Sequence, residues 1–221
     1  MTHRNKNKLI HTFGFVLIAL GIANIVKAEL GASPIDAFNY YLHQIFVKII
    51  PILTLGSVII FTGIMVTLLT YAISKDKNLI ISAVFLVVVG VFVDLWLFLL
   101  GFVPDVIITH LVTKIFMASI GLLLCAFGVS ITILTGLPTS PYESLMLVIY
   151  QKIKNLSISK MIVEGSFFVF AVILGLYTKN LFDQVYIFTV VMTFTMGLFV
   201  SFFTNILKNK MNKGEISYGV K

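Results

Sequence analysis

The stretch Leu30-Gly31-Ala32-Ser33-Pro34-Ile35-Asp36 recurs as Leu137-Pro138-Thr139-Ser140-Pro141-Tyr142-Glu143, 107 positions further along the chain. Each copy predicts a sharp break followed by the start of a new helix. A serine hydroxyl suits the N-cap, a proline suits the first helical position, and an acid at the third position completes a capping-box-like arrangement. Gly31 and Pro138 break the helix that precedes each copy.

Two further blocks hold the same offset. Gly14 and Gly21 return as Gly121 and Gly128, and the block 90–93 (Gly-Val-Phe-Val) returns as 197–200 (Gly-Leu-Phe-Val). Three blocks that share one offset with no net gap indicate an internal duplication. The sequence therefore predicts two copies of one multi-helix unit.

The composition places this unit in a membrane. Hydrophobic residues make up 59% of the 221 residues, charged residues 11%, and the mean hydropathy is +1.06. Soluble domains contain about 45–50% apolar and about 25% charged residues. A chain of this length cannot bury so much apolar surface in one aqueous core, so the lipid bilayer is its first expected partner.

Six stretches are long and apolar enough to cross the bilayer as helices. They are 9–28, 51–73, 79–101, 111–134, 158–177 and 184–207. Two shorter segments, 34–50 and 141–154, suit re-entrant or interfacial helices. The predicted fold is an all-α polytopic membrane protein with six transmembrane helices, two short re-entrant or interfacial helices and two repeats.

The predicted organisation has four parts: a basic cytoplasmic N-terminus (1–8), repeat 1 (9–106), repeat 2 (107–207) and a basic cytoplasmic tail (208–221). With both termini in the cytoplasm, 12 of the 16 Lys and Arg residues lie inside and four outside. The outside residues are Lys27, Lys48, Lys114 and Lys179. This bias predicts a multi-pass protein of the cell membrane with both termini inside.

The number of spans decides the symmetry. If 34–50 and 141–154 both crossed the membrane, the chain would have eight spans and the charge split would be the same. Three full spans per unit make the two repeats inverted, as in many secondary transporters, whereas four make them parallel. We favour six spans and inverted repeats because 14 to 17 residues are short for a crossing.

The repeated helix starts are the candidate substrate-binding residues: Ser33, Pro34, Asp36, Ser140, Pro141 and Glu143. They are either well-formed helix starts alone or the lining of a ligand site. Two helix N-termini that meet near the midplane would face an anionic group, whereas their acids would attract a cation or a proton.

Two acids lie within predicted spans, where an ionisable group is costly and by default suggests a function. Asp94 and Glu164 are therefore the candidate coupling residues. Asp94 is near enough to the outer end to reach the interface, and Lys160 is an alternative structural partner for Glu164 at i, i+4. The glycine pairs at seven-residue spacing, among them Gly56 and Gly63, predict close helix packing.

No catalytic, metal or cofactor site is predicted. The four histidines have no metal-ligand spacing, and no phosphate-binding loop, dinucleotide fingerprint or nucleophile elbow is present. The net charge of +7 comes from short runs beside apolar segments, so nucleic acid is not an expected partner. The single cysteine, Cys125, excludes a disulfide framework and is interpreted as a small buried hydrophobe.

The motif 30–36, its recurrence in the second half and the block 90–94 (Gly-Val-Phe-Val-Asp) resemble the bacterial YczE/YyaS/YitT group of membrane proteins over most of residues 9–207. The resemblance implies membrane placement and no assigned activity. Members often carry a glycine-rich LGGxxGxGT stretch between the last two spans. Here that region is Leu174-Gly175-Leu176-Tyr177-Thr178-Lys179, which keeps only Leu-Gly.

The leading functional hypothesis is a transporter-like protein for a small solute or ion, not an enzyme, with its site between the repeats. The alternative is a non-transporting accessory or scaffold protein that supports a partner complex. The first predicts a polar cavity that touches both Ser-Pro starts, and the second predicts an interface packed solid. A second copy of the chain is a further candidate partner.

Overall fold

A computed structural model describes residues 3–75, 79–137 and 139–212 of the chain, and over these residues the protein is all helical. The α-helices are α1 (His3–Ala28), α2 (Pro34–Phe46), α3 (Leu55–Ser74), α4 (Leu79–Leu100), α5 (Asp105–Ile108), α6 (Leu111–Leu134), α7 (Pro141–Ile153), α8 (Leu156–Thr178) and α9 (Ile187–Asn212). A 3-10 helix, Leu181–Asp183, lies between α8 and α9.

Within the described residues, five helices are long and apolar enough to cross a membrane: α1, α3, α6, α8 and α9. The sixth predicted span corresponds to α4, in which Val84–Leu100 forms a shorter apolar stretch. Both short helices are present as predicted, and α2 and α7 have 13 residues each. The chain has the helices of a multi-pass membrane protein.

Helices α1 and α6 form the centre of the bundle and run antiparallel. A Cβ atom added to Gly21 would lie 2.7 Å from the carbonyl oxygen of Gly121, and one added to Gly128 would lie 2.6 Å from that of Gly14. Such distances leave no room for a side chain, so the glycines let the two backbones meet. The predicted close packing at these glycines is confirmed.

The remaining helices contact one another in the same way in each half. Helix α4 packs against α1 and α3, and α9 packs against α6 and α8. Each short helix crosses to the other half, since α2 packs against α8 and α7 packs against α3. This exchange brings the beginnings of α2 and α7 to the centre of the bundle.

The chain leaves α1 and enters α3 at the same end of the bundle. Val26 near the end of α1 and Leu97 near the end of α4 line the same surface pocket. Asp94 of α4 accepts a hydrogen bond from the amide of Gly56, at the start of α3, at 3.0 Å. Helix α3 therefore begins at the end of the bundle where α1 finishes.

Helix α7 behaves in the same way at the opposite end. Ser130, near the end of α6, donates to the carbonyl oxygen of Val200 at 3.0 Å. Ser157, at the start of α8, donates to that of Gly197 at 3.2 Å. Both residues contact the same turn of α9, so the chain returns to one end between α6 and α8.

Both breaks before the short helices contain residues with a positive φ. Gly31 has a φ of 107°, a conformation that glycine adopts readily. In the second half Gly136 has a φ of 66°, and its counterpart at the 107-residue offset is Glu29, with a φ of 53°. Pro138, which was predicted to break α6, lies outside the described residues, as do Lys77 and the tail beyond residue 212.

Lys160 corrects the charge count. The sequence places it among the cytoplasmic surface charges, but its side chain is buried, with 2% of the residue exposed. It lies in α8 against acids from α7 and α8, so it belongs to the protein interior. Without Lys160 the count is 11 Lys and Arg residues inside against four outside, so the charge bias still favours cytoplasmic termini.

Candidate functional site

A cavity of about 60 Å³ lies between the two halves, halfway along α1 and α6. Its volume suits a few water molecules or one small ion. Its polar lining residues come from both Ser-Pro helix starts and from α8. They are Ser33, Asp36, Asn39, Ser140, Tyr142, Glu143, Lys160 and Glu164. Isoleucine, leucine, valine, methionine and Cys125 side chains form the rest of the wall.

The start of α2 contributes Ser33 and Asp36. The Ser33 hydroxyl accepts a hydrogen bond from the Asp36 amide at 3.2 Å, which confirms the predicted N-cap. The same hydroxyl donates to the Asp36 carboxylate at 2.5 Å. The Asp36 carboxylate thus accepts a hydrogen bond from the side chain of its own N-cap serine. Both residues are buried, so this arrangement holds an acid in the protein interior.

The start of α7 has the same cap but a different partner for its acid. Ser140 accepts from the Glu143 amide at 3.4 Å. The Glu143 carboxylate lies 3.3 Å from the ammonium group of Lys160 on α8. Glu143 thus has the buried ammonium group as its partner where Asp36 has the neutral serine hydroxyl, and a contact between two charged groups is the stronger of the two.

Lys160 also forms the predicted pair with Glu164, at 3.0 Å within the same helix. Of the two Glu164 carboxylate oxygens, Oε1 contacts the ammonium group and Oε2 has no hydrogen-bond partner among the described residues. Glu164 is 1% exposed. A buried carboxylate oxygen without a partner is costly, and such an atom is a candidate contact for a ligand or an ion.

Beside the cavity, three polar side chains connect the two halves. Thr62 of α3 donates to the amide oxygen of Asn39 on α2 at 2.7 Å and lies 2.8 Å from the hydroxyl of Tyr142 on α7. The sequence did not single out Thr62 or Tyr142. The sequence of α2 places Asn39 near Asp36 on one helical face, but the partners of Asn39 depend on how the halves pack.

The other coupling candidate, Asp94, lies outside the cavity. Asp94 does not line the cavity but lies at the end of the bundle, where its carboxylate accepts from the Thr54 hydroxyl at 2.8 Å and from the Gly56 amide. These contacts cap the free amides at the start of α3. The cavity therefore unites Ser33, Asp36, Ser140, Glu143 and Glu164 with both prolines beside them, and leaves Asp94 apart.

The geometry excludes a compact metal centre in the part of the chain that the structure describes. No group of three His, Cys, Asp or Glu side chains there is close enough to hold a metal ion. The three cavity acids approach from three helices, and two of them contact Lys160 instead of one another.

Comparison with known proteins assigns the chain to a family. Residues 5–205 match the model of a family of unknown function, DUF6198. The chain belongs to this DUF6198 family. Both Ser-Pro starts and the whole cavity lie within the matched residues, so the site is part of the region that the family model describes.

Two Bacillus subtilis (strain 168) proteins are similar to this DUF6198 chain. The uncharacterized protein YyaS is 26% identical over 166 residues, which cover 75% of this chain and 79% of YyaS. The uncharacterized membrane protein YczE is 30% identical over 140 residues, which cover 63% of this chain and 60% of YczE. No solved structure matches the chain. The predicted YczE/YyaS-type family is confirmed.

Proposed function

We propose that the chain is a small transporter of the cell membrane that moves a small solute or ion through a site at the central cavity. In this proposal the chain performs no covalent chemistry. The substrate binds between the two halves, which rearrange so that the cavity opens first to one side of the membrane and then to the other.

The observation that carries the proposal is the meeting of both Ser-Pro helix starts at one buried polar cavity. A good cap requires only its own serine and the first turn of its own helix. It does not require the two starts, 107 residues apart, to share a cavity with a buried lysine and a third acid. Burying these charges is costly, and a binding function explains why the cost is tolerated.

The contacts between α1 and α6 support an inverted repeat. Gly14 meets Gly128, the counterpart of Gly21, and Gly21 meets Gly121, the counterpart of Gly14. Reciprocal contacts of this kind are typical of a two-fold axis. Because the two helices are antiparallel, the axis is perpendicular to them and lies in the plane of the membrane that they would cross.

The same arrangement supports six spans. If α1, α3, α4, α6, α8 and α9 cross the membrane, α2 and α7 each return to the side on which they began. The charge bias then places both termini in the cytoplasm. The many exposed aromatic and aliphatic side chains along these helices, such as Phe98 at 65% and Phe116 at 64%, would face lipid.

The alternative is an accessory protein that holds a partner complex in the membrane. Its supporting observation is the tight glycine contact between α1 and α6, which a static scaffold would also use. This alternative gives no role to a cavity that contains a buried lysine and an unpartnered carboxylate oxygen, so we favour the transporter.

Cys125 allows a direct test because it is the only cysteine of the chain and lines the cavity. The purified protein is reconstituted in vesicles and treated with a small, membrane-impermeant methanethiosulfonate reagent. Alternating access predicts slow labelling of Cys125 from each side of the membrane. Labelling that occurs only after denaturation in detergent would contradict the transporter and favour the scaffold.

A further inference from the structure

We infer that the central cavity binds one monovalent positive charge, an alkali cation or a proton, between Asp36 and Glu164. The inference rests on the proposed function in one respect, since it uses the same cavity and names the charge that accompanies or constitutes the substrate. Binding itself is measured without transport, so the two proposals fail separately.

The charged side chains that line the cavity do not balance one another. The cavity lining contains three carboxyl groups, Asp36, Glu143 and Glu164, and one ammonium group, Lys160. With all four ionised the side chains carry −2. The N-termini of α2 and α7 each contribute about +0.5, which leaves about −1. Because an uncompensated charge is costly in a buried site, one further positive charge is required.

One carboxylate oxygen of a cavity residue is buried without a hydrogen bond in the described part of the chain. Glu164 Oε2 has no hydrogen-bond partner among the described residues, although its residue is 99% buried. The neighbouring lining groups also present oxygen atoms, from the carboxylate of Asp36 and the hydroxyls of Ser33 and Tyr142. Oxygen ligands suit hard cations and protons, whereas an anion would be repelled by the three carboxylates.

The arrangement also favours a single charge over a multivalent metal ion. In the part of the chain that the structure describes, no three acids are close enough to hold a metal. Lys160 already occupies the space between Glu143 and Glu164 with a tethered positive charge. The additional cation therefore has Asp36 and the free oxygen of Glu164 as its charged contacts.

The titratable groups that face this site are few. Helix α2 contributes Asp36, α6 contributes Cys125, α7 contributes Tyr142 and Glu143, and α8 contributes Lys160 and Glu164. The lining residues of α1, α3, α4 and α9 are apolar. Any effect of pH on the occupied cavity must act through this set.

The test measures the melting temperature of the full chain in detergent. Sodium, lithium or potassium chloride replaces choline chloride at constant ionic strength, and each series is repeated at pH 6, 7.5 and 9. A ligand that binds the folded protein at a hundredfold excess over its Kd raises the melting temperature by roughly 5 °C or more. A rise with one alkali ion identifies an inorganic cation, and a rise with acid alone identifies a proton.

Three variants show where the ligand binds. Glu164→Gln and Asp36→Asn each remove one negative charge from the cavity and are expected to abolish the response. Glu29→Gln makes the same chemical change in a carboxylate that is exposed at the surface, in an ion pair with Lys114, and is expected to keep it.

Direct binding of radioactive sodium and potassium to the wild-type protein provides a second measurement that does not depend on how the variants fold. It is expected to show one ion per chain, or none where the pH series alone has an effect. A melting temperature insensitive to both cations and pH would overturn the inference. So would a response that persists unchanged in Glu164→Gln and Asp36→Asn.

Discussion

The thiol of Cys125 donates a hydrogen bond to the backbone carbonyl oxygen of Ile18 at 3.5 Å, and the two residues are 107 positions apart. A residue that contacts its own counterpart in the other half lies on the axis that would relate the halves. Both residues line the central cavity. The proposed inverted repeat therefore has its cavity on the symmetry axis, where both Ser-Pro starts can reach it.

The charges around this axis are not symmetric. Asp36 and Glu143 are counterparts, but Lys160 and Glu164 both come from α8 in the second half. The helix of the first half that corresponds to α8 is α3, and it contributes Ile59 to the lining. The duplicated framework thus supplies two capped helix starts, and one half alone supplies the ion pair.

Lys160 is predicted to be essential for stability. The substitution Lys160→Met leaves Glu143 and Glu164 without their buried counter-ion and should cost about 3–5 kcal/mol. Lys114→Met breaks the ion pair with Glu29, which has a 65% exposed side chain, and should cost less than about 1 kcal/mol. Thermal unfolding in detergent compares the two variants. Equal losses would show that the cluster around Lys160 is not a buried ion pair.

The contact between α1 and α6 should not tolerate a methyl group. A Cβ atom at Gly21 would lie 2.5 Å from the sulfur of Cys125 and 2.7 Å from the carbonyl oxygen of Gly121. Gly21→Ala is expected to destabilise the protein by about 1–3 kcal/mol. Gly165→Ala is the control, because nothing lies within 4 Å of its added Cβ atom and alanine favours a helix. If both variants melt at the same temperature, the packing differs from that described.

Tyr41 is predicted to hold α2 against the connection between α8 and α9. Its hydroxyl accepts from the amides of Gln184 at 3.0 Å and Val185 at 3.1 Å. Tyr41→Phe removes this acceptor and leaves both amides with the carbonyl oxygen of Leu181 alone, which is 3.1 Å from the Val185 amide, and should cost about 1–3 kcal/mol. It should also speed proteolysis near residue 184. Tyr177→Phe, at a side chain that is 75% exposed, should change neither property. A protease-resistant Tyr41→Phe variant would exclude this anchoring role.

Asp94 is predicted to act in folding and not in ion binding. Asp94→Ala removes the acceptor for the Thr54 hydroxyl and the Gly56 amide and should lower stability by about 1–3 kcal/mol. Asp183→Ala, at an exposed acid, is the control. The cation or pH response of the melting temperature should survive in both variants. Its loss in Asp94→Ala would instead support the coupling role that the sequence suggests.

The number of spans is tested by comparing two exposed positions. In a background with Cys125→Ser, Lys48→Cys and Lys179→Cys are labelled with an impermeant maleimide in sealed vesicles. Six spans place both positions on the same side of the membrane, since α2 returns without crossing. Eight spans place them on opposite sides. Lys208→Cys, an exposed position beyond Lys179 by the single crossing of α9 in both schemes, is expected on the opposite side either way and serves as the internal reference.

Local patterns predicted much of this protein because local forces decide those features. The apolar stretches define where helices can cross lipid, and the start of α2 at Pro34 and of α7 at Pro141 was predicted because cap and proline chemistry act within one turn. The i, i+4 pair of Lys160 and Glu164 follows from helix geometry alone.

The remaining features depend on which helices meet, which no local pattern specifies. A lysine near the start of α8 has the sequence of a surface charge, and only the approach of Glu143 from α7 makes it a buried counter-ion. An acid within a span suggests a binding site, and only the position of α3 makes Asp94 a cap. The sequence by itself determined the helices, their capped starts and their duplication, since each arises from neighbouring residues. The tertiary structure alone decided that both starts share one cavity and that this cavity contains three acids and a single lysine. These residues are far apart in the chain, and only the packing of the helices brings them together.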